Sequence, residues 1–434
     1  MNRFASARRS LRAGRAPATY ASGARVLSIG IATTGLVTFA YFSLASHALD
    51  EVDYKGISLL WAVLFLVISI IYRPVEQLLS RTIAHGGHPL RTALLIQGAF
   101  AALFLAVALS LRERIENDVF DGSAALYWVL VVAVVAYAAS YFARGWLAGH
   151  RRFGLYGGLV LLESVSRCLF ALAVVIGIAS GQDAVALGIA AAPLVSLLVV
   201  PWAIGRGDPA AGEERLSLRQ GSGFAGAVLA IMAAEQALLN GPVVAVDAAA
   251  ADPALAGFAF NVLLITRAPL QLFQAIQTTL LPHLSGLAAA HGEAEFRRAI
   301  RATVLAIAAF AAAVVAGLAL IGPWAMDVLF GGDFDYGRGG LVLVGLGMGF
   351  HLTAGTLNQA ALARGRAPAA AAAWVAAAVA FLVWLLLTPL DDLLLAVEVG
   401  YCVSTALLAA ALWRIEAARA APGAAAASAS PPAS

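Results

Sequence analysis

The feature that most constrains the fold is a long apolar stretch, residues 254–288, that contains a permanently charged side chain. Arg267 lies inside this stretch, and glutamines follow it at positions 271, 274 and 277. An arginine near the middle of a bilayer costs at least about 2.5 kcal/mol on insertion scales, so it normally faces a bundle interior or a wet cavity. Arg267, Gln271 and Gln274 recur at steps of four and three residues, so they share one face of a helix. The stretch is therefore predicted to be a membrane-spanning helix with one polar face.

A weaker copy of this pattern lies near the start of the chain, in residues 72–80. Arg73 and Gln77 repeat the type and spacing of Arg267 and Gln271, and a proline follows closely after each arginine. We interpret the two stretches as corresponding helices of two halves of the protein.

Composition places the chain among membrane proteins. Of its 434 residues 61% are hydrophobic and 12% are charged, and the mean hydropathy is +0.85. Soluble domains carry about 25% charged residues, so the chain is predicted to be an all-α polytopic membrane protein. Twelve apolar runs are long enough to cross a bilayer. Their predicted bounds are 26–49, 57–80, 90–111, 124–143, 155–180, 184–205, 223–246, 254–288, 299–322, 338–363, 367–389 and 392–415.

The distribution of charge predicts the topology. Arginines concentrate in alternate connections, as in Arg151, Arg152, Arg364 and Arg366, whereas the other connections are mostly acidic. The positive-inside rule then puts both termini in the cytoplasm of a cell-membrane protein, and it accounts for the net charge of +3 without a nucleic-acid partner. A polar connection divides the spans into two parallel six-helix halves. The predicted parts are a basic cytoplasmic arm (1–25), an N-terminal six-helix lobe (26–205), a cytoplasmic linker (206–222), a C-terminal six-helix lobe (223–415) and a disordered cytoplasmic tail (416–434).

Several polar side chains inside the spans are candidates for function, because each needs a partner or a cavity in surroundings without water. Glu163 and Arg167 are four residues apart with the acid first, which favours either an intrahelical ion pair or a place in the cavity lining. Arg73 has Glu76 within reach on its own helix. Glu235 lies near the middle of the seventh span, where it is either a proton-coupling group or a buried packing acid. His351 and Glu398 are interpreted as packing residues.

The sequence offers little that points to catalysis. Lys55, the only lysine, is predicted to lie in an outer loop, so no Walker A motif is possible. Cys168 and Cys402 form no metal-binding spacing and are interpreted as small packing residues. Acidic pairs such as Asp50-Glu51 could hold a metal in a membrane glycosyltransferase, but the outer connections are too short to fold around an acceptor. We therefore predict no catalytic residue, no metal and no cofactor, and keep an enzyme as a less favoured alternative.

These features resemble the polysaccharide flippases of the multidrug/oligosaccharidyl-lipid/polysaccharide (MOP) exporter superfamily. The resemblance rests on the twelve spans in two parallel halves, on Arg73-Pro-Val-Glu-Gln77, on Leu280-Leu-Pro-His-Leu-Ser285 and on the end of span ten from Asn358 to Arg366. It covers about residues 25–415. It implies two lobes that rock about a central cavity, which opens alternately to the cytoplasm and to the outside.

The resemblance also implies a cargo, a lipid-linked oligosaccharide or polysaccharide precursor, and partners among membrane lipids and polysaccharide assembly proteins. Arginine suits the phosphates of such a cargo through its planar fork of donors. The expected substrate-binding residues are Arg73, Arg267, Gln77, Gln271, Gln274 and Asn358, and the expected ion-coupling residues are Glu235 and Glu163. Membrane potential or an ion gradient would drive export. The main alternative is a multidrug or small-molecule antiporter of the same superfamily, and the second is a membrane glycosyltransferase or polymerase.

Overall fold

The computed structural model describes residues 29–31, 33–84, 90–150, 152–196, 198, 218–249, 255–264, 293–331, 336–387, 390 and 392–417. The regular elements among these residues are helices. Ten helices in this part of the chain are long and apolar enough to cross a membrane. Two shorter apolar helices, Gly181–Val195 and Leu255–Leu264, begin close to the predicted starts of the sixth and eighth spans. Within the described residues the order of the predicted spans agrees with the structure, while residues 265–288 of the eighth predicted span lie outside them.

We number the helices in chain order. They are α1 Ile29–Ala48, α2 Glu51–Ile71, α3 Arg73–Ala84, α4 Leu90–Ser110, α5 Ala124–Gly149, α6 Phe153–Val175, α7 Gly181–Ser196, α8 Leu218–Ala249, α9 Leu255–Leu264, α10 Glu293–Phe330, α11 Arg338–Ala363, α12 Ala367–Leu387 and α13 Leu393–Ala417. A helical turn, Arg112–Arg114, and a π-helical turn, Ile115–Val119, connect α4 to α5. We refer to α1–α7 as the N-terminal lobe and to α8–α13 as the C-terminal lobe.

Each lobe packs mainly within itself, and one helix pair provides most of the described contact between them. In the N-terminal lobe α5 packs against α2, α3 and α7, and α6 packs against α7. In the C-terminal lobe α11 packs against α10 and α13, and α8 against α12. The lobes meet where α2 packs along α8. Aromatic rings join them as well, with centroids 4.6 Å apart for Phe42 and Phe260 and 5.3 Å apart for Phe39 and Phe330.

The second span is interrupted at Tyr72, and the sequence explains the interruption. Pro74 has no N–H to donate to the carbonyl of Ile70, and its ring crowds that carbonyl. The backbone turns at Tyr72 with φ −103° and continues, because the Glu76 N–H still bonds to the Tyr72 carbonyl at 3.0 Å. This interruption sets Arg73 at the start of α3, close to α8 in the other lobe.

Several predicted boundaries differ from the structure by five residues or more, and two of these errors concern polar or proline residues at the predicted outer end. The second span was predicted to begin at residue 57, but α2 begins at Glu51, because the Asp50 side chain accepts a hydrogen bond from the Asp53 N–H at 2.8 Å and caps the helix. The ninth span was predicted to end at residue 322, just before Pro323. Helix α10 instead continues through Pro323 to Phe330, where Met326 and Phe330 are buried.

Candidate functional site

Arg73 lies where the two lobes face each other near the middle of the molecule. Among the carboxylates that attract its guanidinium, Glu235 of the C-terminal lobe acts more strongly than Glu76 on its own helix. The sequence suggested Glu76 as the partner, but Glu76 accepts a hydrogen bond from the Tyr156 hydroxyl at 2.8 Å. Arg73 therefore lies within electrostatic reach of carboxylates from both lobes.

Glu235 stands between a cation of the opposite lobe and an imidazole of its own lobe. Its Oε1 lies 3.8 Å from Nε2 of His351, and 16% of its side chain is exposed. His351 is buried on α11, and its Nδ1 lies 3.2 Å from the Tyr401 hydroxyl. We call Arg73, Glu235 and His351 the interlobe cluster. The sequence singled out Glu235, whereas His351 was interpreted as a packing residue.

A second group of charges lies inside the N-terminal lobe. Glu163 accepts hydrogen bonds from Arg144 of α5 and from the Ser140 hydroxyl, and only 2% of its side chain is exposed. The guanidinium of Arg144 also lies 4.6 Å from the centre of the Tyr141 ring. The predicted intrahelical pair of Glu163 with Arg167 is therefore wrong, since an arginine on a neighbouring helix takes its place.

Close packing of α3 against α5 brings this group near the interlobe cluster. A Cβ atom added to Gly145 would lie 2.8 Å from the Glu76 carbonyl oxygen, and one added to Gly149 would lie 2.7 Å from Cβ of Ile83. The small-xxx-small spacing of these two glycines lets the helix backbones approach closely. As a result Arg144 of α5 lies within electrostatic reach of Glu76 on α3.

Arg167 is a buried guanidinium whose described partners are all uncharged. It donates to the Tyr137 hydroxyl at 2.7 Å and to the Ser164 hydroxyl at 2.9 Å, and it lies 4.9 Å from the centre of the Trp61 ring. Its Nε has no hydrogen-bond partner among the described residues, and none of their carboxylates lies within 4.0 Å of it. Around α3, α5 and α6 the described charges are thus Arg73, Arg144 and Arg167 with Glu76 and Glu163.

The other predicted substrate-binding residues differ in burial, and three of them lie outside the described residues. Gln77, one turn after Arg73, is exposed. Asn358 on α11 is buried, and its side-chain oxygen has no hydrogen-bond partner within the described part of the chain. Arg267, Gln271 and Gln274 lie outside the described residues, so the predicted pair of Arg73 with Arg267 remains a prediction.

Lys55 is the residue whose position the sequence analysis missed most clearly. It was predicted to lie in an outer loop, but it lies in the first turns of α2 and is 4% exposed. Its Nζ is 2.6 Å from Asp121 Oδ2 in the N-terminal lobe and 3.1 Å from Asp247 Oδ1 in the C-terminal lobe. Two features of the sequence could have pointed to this position: the helix-capping residue Asp50 and the fact that Lys55 is the single lysine of the chain.

The same end of the molecule carries a further contact between the lobes. The Tyr54 hydroxyl donates to the side-chain oxygen of Asn261 on α9, and Asn261 Nδ2 donates to the Tyr336 hydroxyl at 3.0 Å. Burial raises the pKa of the Tyr336 phenol, so this hydroxyl stays neutral at ordinary pH. Among the described residues, no group of three His, Cys, Asp or Glu side chains could hold a metal ion.

Comparison with known proteins identifies relatives by sequence and by fold. No model of a known protein family matches the chain. The chain is 30% identical over 350 residues to the uncharacterized protein Rv1510 of Mycobacterium tuberculosis strain H37Rv and to the uncharacterized protein MT1558/MT1560 of strain CDC 1551. In each case the match covers 75% of this chain and 75% of the relative.

Among solved structures the chain is similar to MATE transporters. A point mutant of the Vibrio cholerae MATE transporter VcmN superposes with a TM-score of 0.68 at 16% identity over 93% of this chain and 99% of that one. The inward-facing conformation of a multidrug resistance MATE family transporter of the MOP superfamily gives a TM-score of 0.64 at 12% identity over 92% and 96%. The predicted fold class, a polytopic all-α membrane protein with about twelve helices in two lobes, is confirmed. The chain belongs to the family of the Mycobacterium tuberculosis protein Rv1510 and has the fold of the MATE transporters.

Proposed function

We propose that this protein is an alternating-access exporter of the MOP superfamily. The two-lobe fold supports the proposal, because it is the fold of a transporter named as a member of this superfamily. The interlobe cluster supports it as well, since charges near the middle of a membrane protein are costly and usually mark a substrate or ion pathway. Under this proposal the protein moves cargo and catalyses no reaction.

The observation that carries the proposal is the position of Glu235. It is attracted by Arg73 across the lobe interface and lies 3.8 Å from His351 within its own lobe. An anionic cargo group that binds Arg73 competes with Glu235 for the same guanidinium. Glu235 then needs a different counter-charge, which a proton on Glu235 or on His351 supplies. Cargo binding and proton uptake are coupled in this way.

For the cargo, the charges of the N-terminal lobe favour an anionic amphiphile such as a lipid-linked oligosaccharide. In the group of described charges on α3, α5 and α6, Arg73, Arg144 and Arg167 outnumber the carboxylates Glu76 and Glu163, and the Nε atoms of Arg144 and Arg167 have no described hydrogen-bond partner. A sugar phosphate cannot cross hydrocarbon unaided, because its charges and hydroxyls would lose their hydration. A negative interior assists export of an anion by about 2.3 kcal/mol per charge per 100 mV.

A second cargo class, small organic molecules, is favoured by the comparisons. The similar structures are named as MATE and multidrug resistance transporters, and none of the proteins compared above is named for a glycan. For a cationic drug the acceptor would be Glu235, a partly exposed carboxylate that lies near Arg73 of the opposite lobe. The two cargo classes therefore predict different roles for Arg73 and Glu235.

Transport by the purified protein in liposomes separates the two cargo classes. One assay follows movement of a fluorescent polyprenyl phosphate sugar between leaflets, and the other follows proton-driven uptake of ethidium. We expect Arg73→Ala to slow the lipid phosphate about 10- to 100-fold, the loss of one charge-assisted contact. Arg298→Ala, an exposed arginine on α10, is the matched control and should leave both rates unchanged.

The outcomes of these assays differ clearly. Ethidium uptake that depends on Glu235, without movement of the lipid phosphate, selects the multidrug function. Failure of both cargoes to move, in protein that remains monodisperse and helical, would contradict export as the function.

The proposal also includes a location. It places the protein in the cell membrane with both termini in the cytoplasm and partners among membrane lipids and polysaccharide assembly proteins. Reporter fusions at residues 1 and 434 that are active only outside the cytoplasm test the orientation, and the expected result is an inactive reporter at both ends.

A further inference from the structure

The lobes are held together at the predicted outer end by one buried ammonium group that touches a carboxylate of each lobe. Lys55 Nζ lies 2.6 Å from Asp121 and 3.1 Å from Asp247. The three side chains differ greatly in exposure, at 5% for Lys55, 13% for Asp247 and 61% for Asp121. Asp247 near the end of α8 is therefore the inner partner, whereas Asp121 covers Lys55 from the solvent side.

A neutral hydrogen-bonded chain lies beside this ion pair. Tyr54, the residue before Lys55, donates to Asn261, and Asn261 donates to Tyr336 at 3.0 Å. Gly257 of α9 makes the approach possible, because a Cβ atom there would lie 3.3 Å from Cδ1 of Tyr54. Consecutive residues of α2 thus bond to two different elements of the C-terminal lobe.

From this arrangement we propose that Tyr54 and Lys55, with Asp247 and Asn261, form a reversible lock that keeps the lobes closed at the predicted outer end. Asp121 is the partner that retains Lys55 when the lock opens. The inference rests on the proposed function, in which the lobes move apart at this end. To that function the inference adds the residues that close the outer end and the change of partner at Lys55.

The exchange of partners at Lys55 follows from the lobes to which Lys55 and its two carboxylates belong. Asp121 and Lys55 lie in the same lobe, so their contact persists when the lobes separate, whereas the contact of Lys55 with Asp247 cannot. Without Asp121 the lysine would lose every carboxylate that contacts it in the described structure. A buried charge that loses its partner is strongly unfavourable.

The backbone conformation of Asp121 supports its role as the partner that retains Lys55. Asp121 adopts φ +49°, and it is the one non-glycine residue with positive φ in the described part of the chain. It directly follows the π-helical turn Ile115–Val119 and Phe120. Aspartate tolerates this left-handed conformation better than most residues do, and here its carboxylate contacts Lys55. Here the turn directs the carboxylate onto Lys55.

Two carboxylate variants with opposite expected effects test the lock. Asp247→Asn weakens the closed state alone, so the open fraction should rise. Asp121→Asn removes the partner that Lys55 keeps after opening, so the open fraction should fall. If these salt bridges only stabilised the fold, the two substitutions would not shift the open fraction in opposite directions.

The measurement is the distance between the lobes in the protein reconstituted in lipid nanodiscs without cargo. Spin labels at Glu113→Cys in the N-terminal lobe and Arg338→Cys in the C-terminal lobe occupy exposed positions, in a Cys168→Ala, Cys402→Ala background. Pulsed electron resonance then gives the populations of short and long distances. We expect Asp247→Asn to raise the ratio of long to short distances about tenfold or more, and Tyr54→Phe to raise it several-fold. Asp118→Asn, at an exposed acid of the π-helical turn, is the matched control and should keep the wild-type distribution.

Each result either supports or overturns the lock. Unchanged distances in Asp247→Asn, or shifts of the same sign in Asp247→Asn and Asp121→Asn, would overturn it. Should one aspartate variant fail to fold, Lys55→Met and Tyr54→Phe provide the same test, and a distribution unchanged in both overturns the proposal. The failure of the proposed function is distinguishable, because opposite shifts in distance without movement of either cargo would leave the lock intact and remove the transport role.

Discussion

The two lobes face each other differently at the predicted outer end and in the middle of the molecule. At the outer end, buried Lys55 contacts Asp247 at 3.1 Å, and Tyr54 bonds directly to Asn261. In the middle, the carboxylate of Glu235 is 3.8 Å from His351 and attracts Arg73 electrostatically. The outer contacts have geometry suited to closing the protein. We propose that the middle charges exchange these partners for a ligand.

The N-terminal lobe shows the same contrast on a smaller scale. Glu163 is bonded directly to Arg144 and Ser140, whereas Arg167 contacts only uncharged partners among the described residues. We infer that directly paired groups maintain the structure, whereas incompletely paired ones are available for cargo or protons. Substitutions in the two kinds of group should therefore affect stability and transport differently.

The largest expected loss of stability comes from breaking the most buried pair. Glu163→Ala leaves the Arg144 charge inside the lobe without its carboxylate, so we expect the free energy of unfolding to fall by about 3–5 kcal/mol. Arg112→Ala is the matched control, because its pair with Glu116 is exposed and should contribute less than about 1 kcal/mol. Thermal unfolding of the two variants in detergent measures the difference, and equal shifts would contradict the structural role given to Glu163.

A smaller loss is expected from separating α3 and α5. Gly145→Leu places a side chain against the Glu76 backbone and should lower the free energy of unfolding by about 1–3 kcal/mol, the usual effect of overpacking. Transport should fall as well, because Arg73 and Glu76 move with α3. Gly158→Leu is the control, since a Cβ atom at Gly158 meets nothing within 4 Å. Equal stability of both variants would show that α3 does not need this close approach.

The smallest change in stability is expected in the interlobe cluster. Glu235→Gln removes a partly exposed charge whose described contact is 3.8 Å long, so the free energy of unfolding should change by less than about 1 kcal/mol. Proton-driven transport should nevertheless be lost. Glu295→Gln, an exposed acid on α10, serves as the control for both measurements. Full proton-driven transport by Glu235→Gln would remove Glu235 from the coupling step.

Much of the fold could be predicted because hydropathy and length fix membrane spans with little help from tertiary contacts. The starts and ends of the helices were less predictable. Charged residues such as Glu51, Asp53 and Lys55 looked like a loop, yet Asp50 caps the helix that contains them. Pro323 looked like an end, but Met326 and Phe330 after it are buried, and α10 continues to include them.

The candidate site was predictable only in part, for a physical reason. Sequence spacing identifies partners on the same helix, so Arg167 was the evident partner for Glu163, whereas Arg144 comes from a neighbouring helix. Contacts between lobes are further removed from any local pattern, and Lys55 with Asp247 could not be inferred from spacing. Glu235 and Arg73 were identified because a charge in the middle of an apolar span stands out in the sequence itself, and no knowledge of its partner is needed to find it.

The central claim is that Arg73 and Glu235 act on each other across the lobe interface during transport. A double-mutant cycle measures this directly, with transport rates for the wild type, Arg73→Ala, Glu235→Ala and the double variant. We predict a coupling free energy of about 0.5–3 kcal/mol between the two sites. Effects that add to within about 0.3–0.5 kcal/mol, as for independent distant residues, would contradict it.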